Sequence, residues 1–260
     1  MLYQTTIRKM SAWGNVPFSP HNGLFLAPSL KEEDKQGLIR AIAECLTKTR
    51  KRIWYFNLPP GYASLNIREA GVDIGIRRTF RLALHFTEEE LFQNCHSKTR
   101  NIIRQQEKVG HHVLHNSDRA EVFMQIRDHL MEREVSINDD LLQKVVMTFD
   151  QPSQSFTTEI MQDRRLVAST LCIHDGATAY YLFGARGGEG HQSSGTIALW
   201  QSILHAKHLG CVVFDFEGSM IEPVARFFKR FGGEEVLYPR VFKAGMLAKL
   251  LLRLSKFKIV

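Results

Sequence analysis

The heptapeptide Tyr180-Tyr181-Leu182-Phe183-Gly184-Ala185-Arg186 decides how the rest of the chain is read. It is apolar and aromatic enough for a buried strand. The Gly187-Gly188-Glu189-Gly190-His191-Gln192-Ser193-Ser194-Gly195 run after it is too rich in glycine and serine for regular structure. From Thr196 the residues Ile197, Trp200, Ile203 and Leu204 recur at helical spacing, and Gly210 supplies the stop. Cys211-Val212-Val213-Phe214-Asp215-Phe216-Glu217 is β-branched and aromatic, which favours a second strand. Alternation along it puts Asp215 and Glu217 on one face and Phe214 and Phe216 on the other. Past Gly218 and Ser219, Pro223 suits the first turn of a helix that runs to Gly232 and Gly233. Strand, helix, strand, helix predicts an α/β unit with parallel pairing.

Upstream, three strands alternate with turn signals at Asp163-Arg164 and Asp175-Gly176, which predicts an antiparallel meander over 156–183. Helices are predicted over 121–130 and 141–149. A further one starts at Thr87, whose hydroxyl makes a capping box with Glu90. On the helix that follows, Arg100, Arg104 and Lys108 share a face, read either as a solvated surface or as a seat for phosphate or carboxylate. His111 and His115 would share a strand face, but no third ligand stands at a familiar spacing, so no metal site is expected. A helix over 30–48 carries Leu38, Ile39, Ile42 and Leu46, and strands are predicted over 53–58 and 78–85. The expected organisation is a small N-terminal half over 1–86, a main domain over 87–241 and a basic amphipathic helix over 242–260. That helix either docks on its own domain or makes a peripheral membrane contact.

The chain has 260 residues, a formal charge of +7 and four cysteines. The charge favours a polyanionic partner such as tRNA, a phosphorylated cofactor, an acidic precursor or a membrane surface. The cysteines are far apart and form no C-x-x-C pair, consistent with buried free thiols in a reducing compartment. No apolar run is long enough to span a bilayer and the first residues lack a signal peptide's apolar core, so the expectation is a cytoplasmic protein.

Taken together, Ser97-Lys98-Thr99-Arg100-Asn101-Ile102-Ile103-Arg104, Tyr180-Tyr181, the loop and the helix bearing Trp200, Phe214-Asp215-Phe216-Glu217-Gly218-Ser219 and Phe228-Lys229-Arg230-Phe231-Gly232-Gly233 resemble the FemAB-like branch of the GNAT acyltransferases. The resemblance implies a mixed-sheet α/β GNAT fold, often built as two tandem halves, the first of them incomplete here. It also implies transfer of an acyl or aminoacyl group to an amine acceptor, such as a cell-wall or lipid-linked precursor. The donor implied is aminoacyl-tRNA in the peptidoglycan-bridge enzymes and acyl-CoA in most other GNAT proteins, with no tightly bound cofactor. A GNAT frame that binds tRNA or another polyanion without catalysis is the alternative.

Gln192-Ser193-Ser194-Gly195-Thr196-Ile197 is similar to the GNAT Q/R-x-x-G-x-G/A signature. A glycine-bearing loop entering a helix offers amides and a positive dipole end to phosphates. Ile197 stands where the signature has a small residue, and its side chain is expected to crowd a diphosphate. The residues assigned to the donor are Gln192, Ser193, Ser194, Gly195 and Thr196, with Arg100, Arg104 and Tyr181 assigned to substrate. Amine attack on an activated carbonyl needs a proton acceptor and stabilisation of the oxyanion. Asp215 and Glu217, at the strand end where α/β sheets bind ligands, and Lys229 are assigned to the reacting centre. Many acetyl-transferring GNAT enzymes carry a tyrosine on the final helix to protonate the leaving thiolate. Residues 222–231 contain none, and Tyr238 is the nearest substitute.

Overall fold

The computed structural model describes residues 3–7, 10–16, 18–19, 21, 29–48, 53–60, 72–108, 110–135, 138–148, 153–187, 193–218 and 220–246. Contacts divide the chain into two compact units, residues 1–79 with 236–260, and residues 80–235. The segment after residue 235 thus groups with the N-terminal unit; of the tail helix expected over 242–260, residues 242–244 belong instead to a strand, paired with residues 53–55, and the part beyond Met246 lies outside the described residues.

In the first unit β1 (Tyr3–Ile7) and β2 (Met10–Gly14) form an antiparallel hairpin, and β2 pairs in parallel with β3 (Ile53–Asn57). The helix α1 (Glu32–Thr47) buries Ile39 with Trp54, Phe56 and Val241, whereas Leu38 is 43% exposed, so the apolar stripe expected on it is only partly used. The strand β4 (Asp73–Ala83) runs out of this unit into the next.

The second unit runs α2 (Glu88–Asn94), α3 (Ser97–Glu107), β5 (His112–His115), α4 (Arg119–Glu132), α5 (Asp139–Thr148), β6 (Ser155–Gln162), β7 (Arg165–His174), β8 (Thr178–Arg186), α6 (Ser194–His208), β9 (Val213–Asp215) and α7 (Glu222–Lys229). The last strand among the described residues, β10 (Glu234–Ala244), returns antiparallel to β3 in the first unit. Within the second unit β5, β6, β7 and β8 pair antiparallel, β8 with β9 parallel, and β9 with the end of β4 antiparallel, giving the expected mixed sheet. The meander turns where expected: Asp163 and Arg164 both take positive φ, 50° and 62°, the pairing a tight two-residue hairpin requires. The Thr87–Glu90 capping box also forms, with Glu90 N–H on Thr87 Oγ1 at 3.2 Å and Thr87 N–H on Glu90 Oε2 at 2.8 Å.

Side chains on β7 show how the layers are arranged. Ser169 and Leu171 point to α4: Ser169 Oγ donates to Gln125 Oε1 at 2.6 Å, and Leu171 packs with Val122, Ile126, Leu142 and Val146. Their neighbours Thr170 and Cys172 point to α6, Thr170 Oγ1 lying 2.6 Å from Ser202 Oγ. Because strand side chains alternate between faces, α4 and α5 cover one face of this sheet and α6 the other. The larger core, with Phe80, Leu91, Trp200, Phe214, Phe216 and Phe228, sits on the α6 face.

Candidate active site

The site begins where β8 and β9 part. Their ladder pairs Thr178 with Val213, Ala179 with Phe214 and Tyr180 with Asp215, then ends, while β8 continues to Arg186. Glu217 and Gly218, at φ 56° and 66°, turn the chain away. On the other side of β8 a bulge sets Leu171 opposite Phe183 and Cys172 opposite Tyr181, so Leu182 is the extra residue. The bulge leaves Tyr181 on the α6 face, its ring 5.8 Å from Phe228 and 6.5 Å from Phe214. Burial pushes its hydroxyl pKa up, so Tyr181 stays protonated. The hydroxyl leans over Gly184, where an added Cβ would lie 1.7 Å from it. Any larger residue there would force the Tyr181 ring to move.

A cavity of about 470 Å³ lies along β8 beyond the end of its ladder with β9, lined by residues of β7, β8, α4, α6 and α7. It takes Ser169 from the α4 face of the sheet and Thr170 and Tyr181 from the α6 face, so it passes through the splayed sheet. His129 and Arg133 close it on the α4 side, and Pro223, Phe227 and Phe228 of α7 on the other. Gly195 and Thr196, in the first turn of α6, also line it. Ser193 at the N-cap makes no side-chain bond to the helix amides, and a Cβ at Gly195 would meet nothing within 4 Å. Ile197, expected to crowd this cradle, is instead 2% exposed and packs into the core with Leu199 and Trp200.

The other residues assigned from sequence are placed as follows. Ser194 is buried, with Oγ 3.5 Å from the Val167 carbonyl, and Gln192 lies outside the described residues. Asp215 is fully buried, accepts from Arg81 Nε at 2.8 Å and from the Glu217 amide at 2.9 Å, and is not among the residues lining the cavity. Glu217 is partly exposed as a residue, yet its carboxyl is driven well above the ordinary range, first by burial and then by Asp215. Burial of this kind favours the neutral carboxyl over the carboxylate and so weakens the case for Glu217 as a proton acceptor. With Glu217 at positive φ, the alternation expected to pair it with Asp215 stops at the end of β9. Lys229 is exposed in the last turn of α7, where its charge complements the helix dipole. Tyr238 belongs to the first unit, its ring edge-on to His21 at 4.7 Å. Arg100 donates to the carbonyls of Gln93, at 2.8 Å, and of Cys95, closing the end of α2. Arg104 lies over the Phe92 ring, 5.0 Å from its centroid. The sequence reading missed His129, Arg133 and Arg186, which line the cavity. His129 and Arg133 stand four apart at the end of a helix, a spacing that could have signalled a shared face.

A family profile described as an acetyltransferase (GNAT) domain matches residues 93–230, more than half of the chain, and that span contains every residue lining the cavity. No curated protein sequence matches. Among solved structures, FemX is similar with a TM-score of 0.66 at 13% identity, over 97% of this chain and 85% of its own. The C-terminal domain of a protein assigned as a lysylphosphatidylglycerol synthetase, from Agrobacterium fabrum, gives 0.63 at 12% identity, over 98% and 84%. A tandem GNAT protein from the clavulanic acid biosynthesis pathway gives 0.51 at 11%, over 91% and 75%. The chain belongs to the GNAT acetyltransferase-domain family, and its fold is the one shared by the FemAB-like branch.

Proposed function

We propose that this chain transfers an acyl or aminoacyl group from an activated donor, acyl-CoA or aminoacyl-tRNA, to an amine acceptor in the cavity along β8. The observation that carries this reading is the cavity itself: one opening through the sheet joins the first turn of α6 to the end of α4. On this reading the α6 turn at Gly195 and Thr196 receives the phosphate-bearing part of the donor, as helix N-termini do. The acyl carbonyl lies along β8, whose edge past Tyr180 can bond an extended amide-bearing chain as a strand would. Tyr181, protonated and facing the cavity, is placed to donate a hydrogen bond to the developing oxyanion or a proton to the leaving group. The fold of the lysylphosphatidylglycerol synthetase domain supports the aminoacyl form of the reaction, because the name of that protein describes a lysyl group joined to a lipid. Asp215 and Glu217 serve the site by shaping the turn where the two strands separate.

The test uses Gly195, which lines the cavity and where an added Cβ would meet nothing within 4 Å. Thermal unfolding is followed with acetyl-CoA and, separately, with charged and uncharged tRNA, for the wild type and Gly195→Trp. A ligand that binds only the folded form raises the melting temperature. The expected result is a donor-dependent rise in the wild type that is lost in Gly195→Trp, while the ligand-free melting temperatures agree. An equal rise in both proteins places the donor elsewhere and overturns the reading.

A further inference from the structure

Two arginines at the α4 end of the cavity have no role in the reading above. Arg133 follows the last turn of α4, Arg186 ends β8, and both line the cavity and are exposed. Neither guanidinium has a carboxylate or hydrogen-bond partner among the described residues. This sets them apart from Arg81, Arg100, Arg104 and Arg119, which are engaged by Asp215, by helix-end carbonyls, by the Phe92 ring and by Asn116 and Ser155. His129 lines the same cavity. Its pKa is lowered by burial first and then by Arg133, with Glu132 opposing and Arg186 adding to the lowering, so both guanidinium charges act on one small volume. Three acids of α4, Glu121, Asp128 and Glu132, line a neighbouring cavity together with His129 and Arg186, but none of them is bonded to either guanidinium among the described residues, and Asp128 is paired to Arg127 at 2.8 Å.

We propose that Arg133 and Arg186 form an anion subsite that holds a carboxylate or phosphate group of the acceptor while its amine faces the acyl carbonyl. This rests on the transferase reading above. A planar guanidinium fork matches both oxyanions, and a cation pair that makes no hydrogen bond or ion pair among the described residues keeps its donors for an anionic ligand. The acceptor, rather than the phosphates of the donor, is assigned because Arg133 comes from the α4 side of the sheet, whereas the donor cradle at Gly195 and Thr196 comes from the α6 side. The acceptor class is thus an amine that carries an acidic group within the same small molecule or head group.

Two amine pairs test this: glycine against glycinamide, and phosphoethanolamine against ethanolamine. Binding is followed by melting-temperature shift and transfer by single-turnover kinetics, using Arg133→Gln and Arg186→Gln. The expected result is that the wild type prefers the acidic member of at least one pair. Each variant then loses about tenfold or more of that preference in kcat/KM, the size of one charge-assisted hydrogen bond. The pair that shows the preference tells carboxylate from phosphate. If the KM for the donor rises and the acceptor preference stays, the arginines serve the donor and the proposal falls. If the wild type transfers equally well to both members of each pair, it falls as well. Absence of transfer from every donor, with the donor-dependent melting shift also absent, instead overturns the transferase reading on which the proposal rests.

Discussion

The start of α6 and the end of β9 lie at the same end of one parallel strand pair, the first holding residues that sequence alone assigns to the donor and the second residues that it assigns to the reacting centre. They are used differently. Gly195 and Thr196 open onto the cavity, while Asp215 is fully buried and already committed to Arg81 and to the amide of Glu217. The difference teaches that position at the carboxyl end of a strand nominates a residue, and that a spent charge withdraws it. A buried carboxylate with its partner in place holds backbone together, and one without a partner would do chemistry.

The largest effect that tests this contrast comes from Asp215→Ala. It leaves Arg81 without its partner and removes the acceptor for the Glu217 amide, so unfolding free energy should fall by about 3 kcal/mol, as when one member of a buried pair is deleted. Urea unfolding measures it. Unchanged stability with transfer abolished would return Asp215 to the reacting centre and erase the contrast.

Next in size is Gly184→Ala, whose new methyl group would meet the Tyr181 hydroxyl at 1.7 Å. Overpacking of this kind should cost about 1–3 kcal/mol and displace Tyr181 from the cavity. The double variant with Tyr181→Phe removes the closest contact and leaves the ring carbon Cζ at 2.8 Å, so it should recover part of the stability without recovering transfer. Recovery of both would show that the hydroxyl has no chemical part.

These two positions also show what could be read in advance. The meander and its Asp163-Arg164 turn, the capping box at Thr87 and the order of elements through α7 were legible, because each depends on residues close together in the chain. The pair of Asp215 with Arg81 joins residues 134 apart, and no local pattern carries it. Gly184 looked like an ordinary strand glycine, since its need arises from a bulge that turns Tyr181 back over it. The row of Arg100 and Arg104 was read correctly as one helical face. Its use depends on neighbours the row does not show: the free carbonyls at the end of α2 and the ring of Phe92.

The opposite end of α6 gives a third, smaller test. There the ring of His205 stacks on His115 at 3.8 Å and meets Phe156 edge-on at 4.8 Å. Burial first, then His115, His208 and His174, lower the pKa of His205 to about 4. An unfolded histidine titrates near 6.5. Between those values the unfolded chain takes up a proton that the folded chain refuses, so stability is complete above pH ~6.5 and is lost as the pH falls towards ~4. With screening by solvent allowed for, the loss should be about 1–2 kcal/mol. His205→Phe keeps the ring and removes the titration, so its urea midpoint should change less between pH 7 and pH 5 than that of the wild type. Parallel slopes would show that this end of α6 has no acid-sensitive contact.

The smallest effects compare two helix starts directly. At α2 the side chain of Thr87 closes the N-terminus, and Thr87→Ala should cost about 1 kcal/mol in urea unfolding with donor KM unchanged. At α6 the N-cap Ser193 makes no such bond, and the first turn faces the cavity. Ser193→Asp there should stabilise the fold by about 0.5 kcal/mol, through the dipole and a new cap, while raising donor KM, because the added carboxylate competes with the donor phosphates for the same positive end. Stability and donor affinity moving in opposite directions is what separates a helix start kept open for a ligand from one that merely lacks a cap. If both improve together, the α6 start is structural, and the donor phosphates must be held by groups other than Gly195 and Thr196.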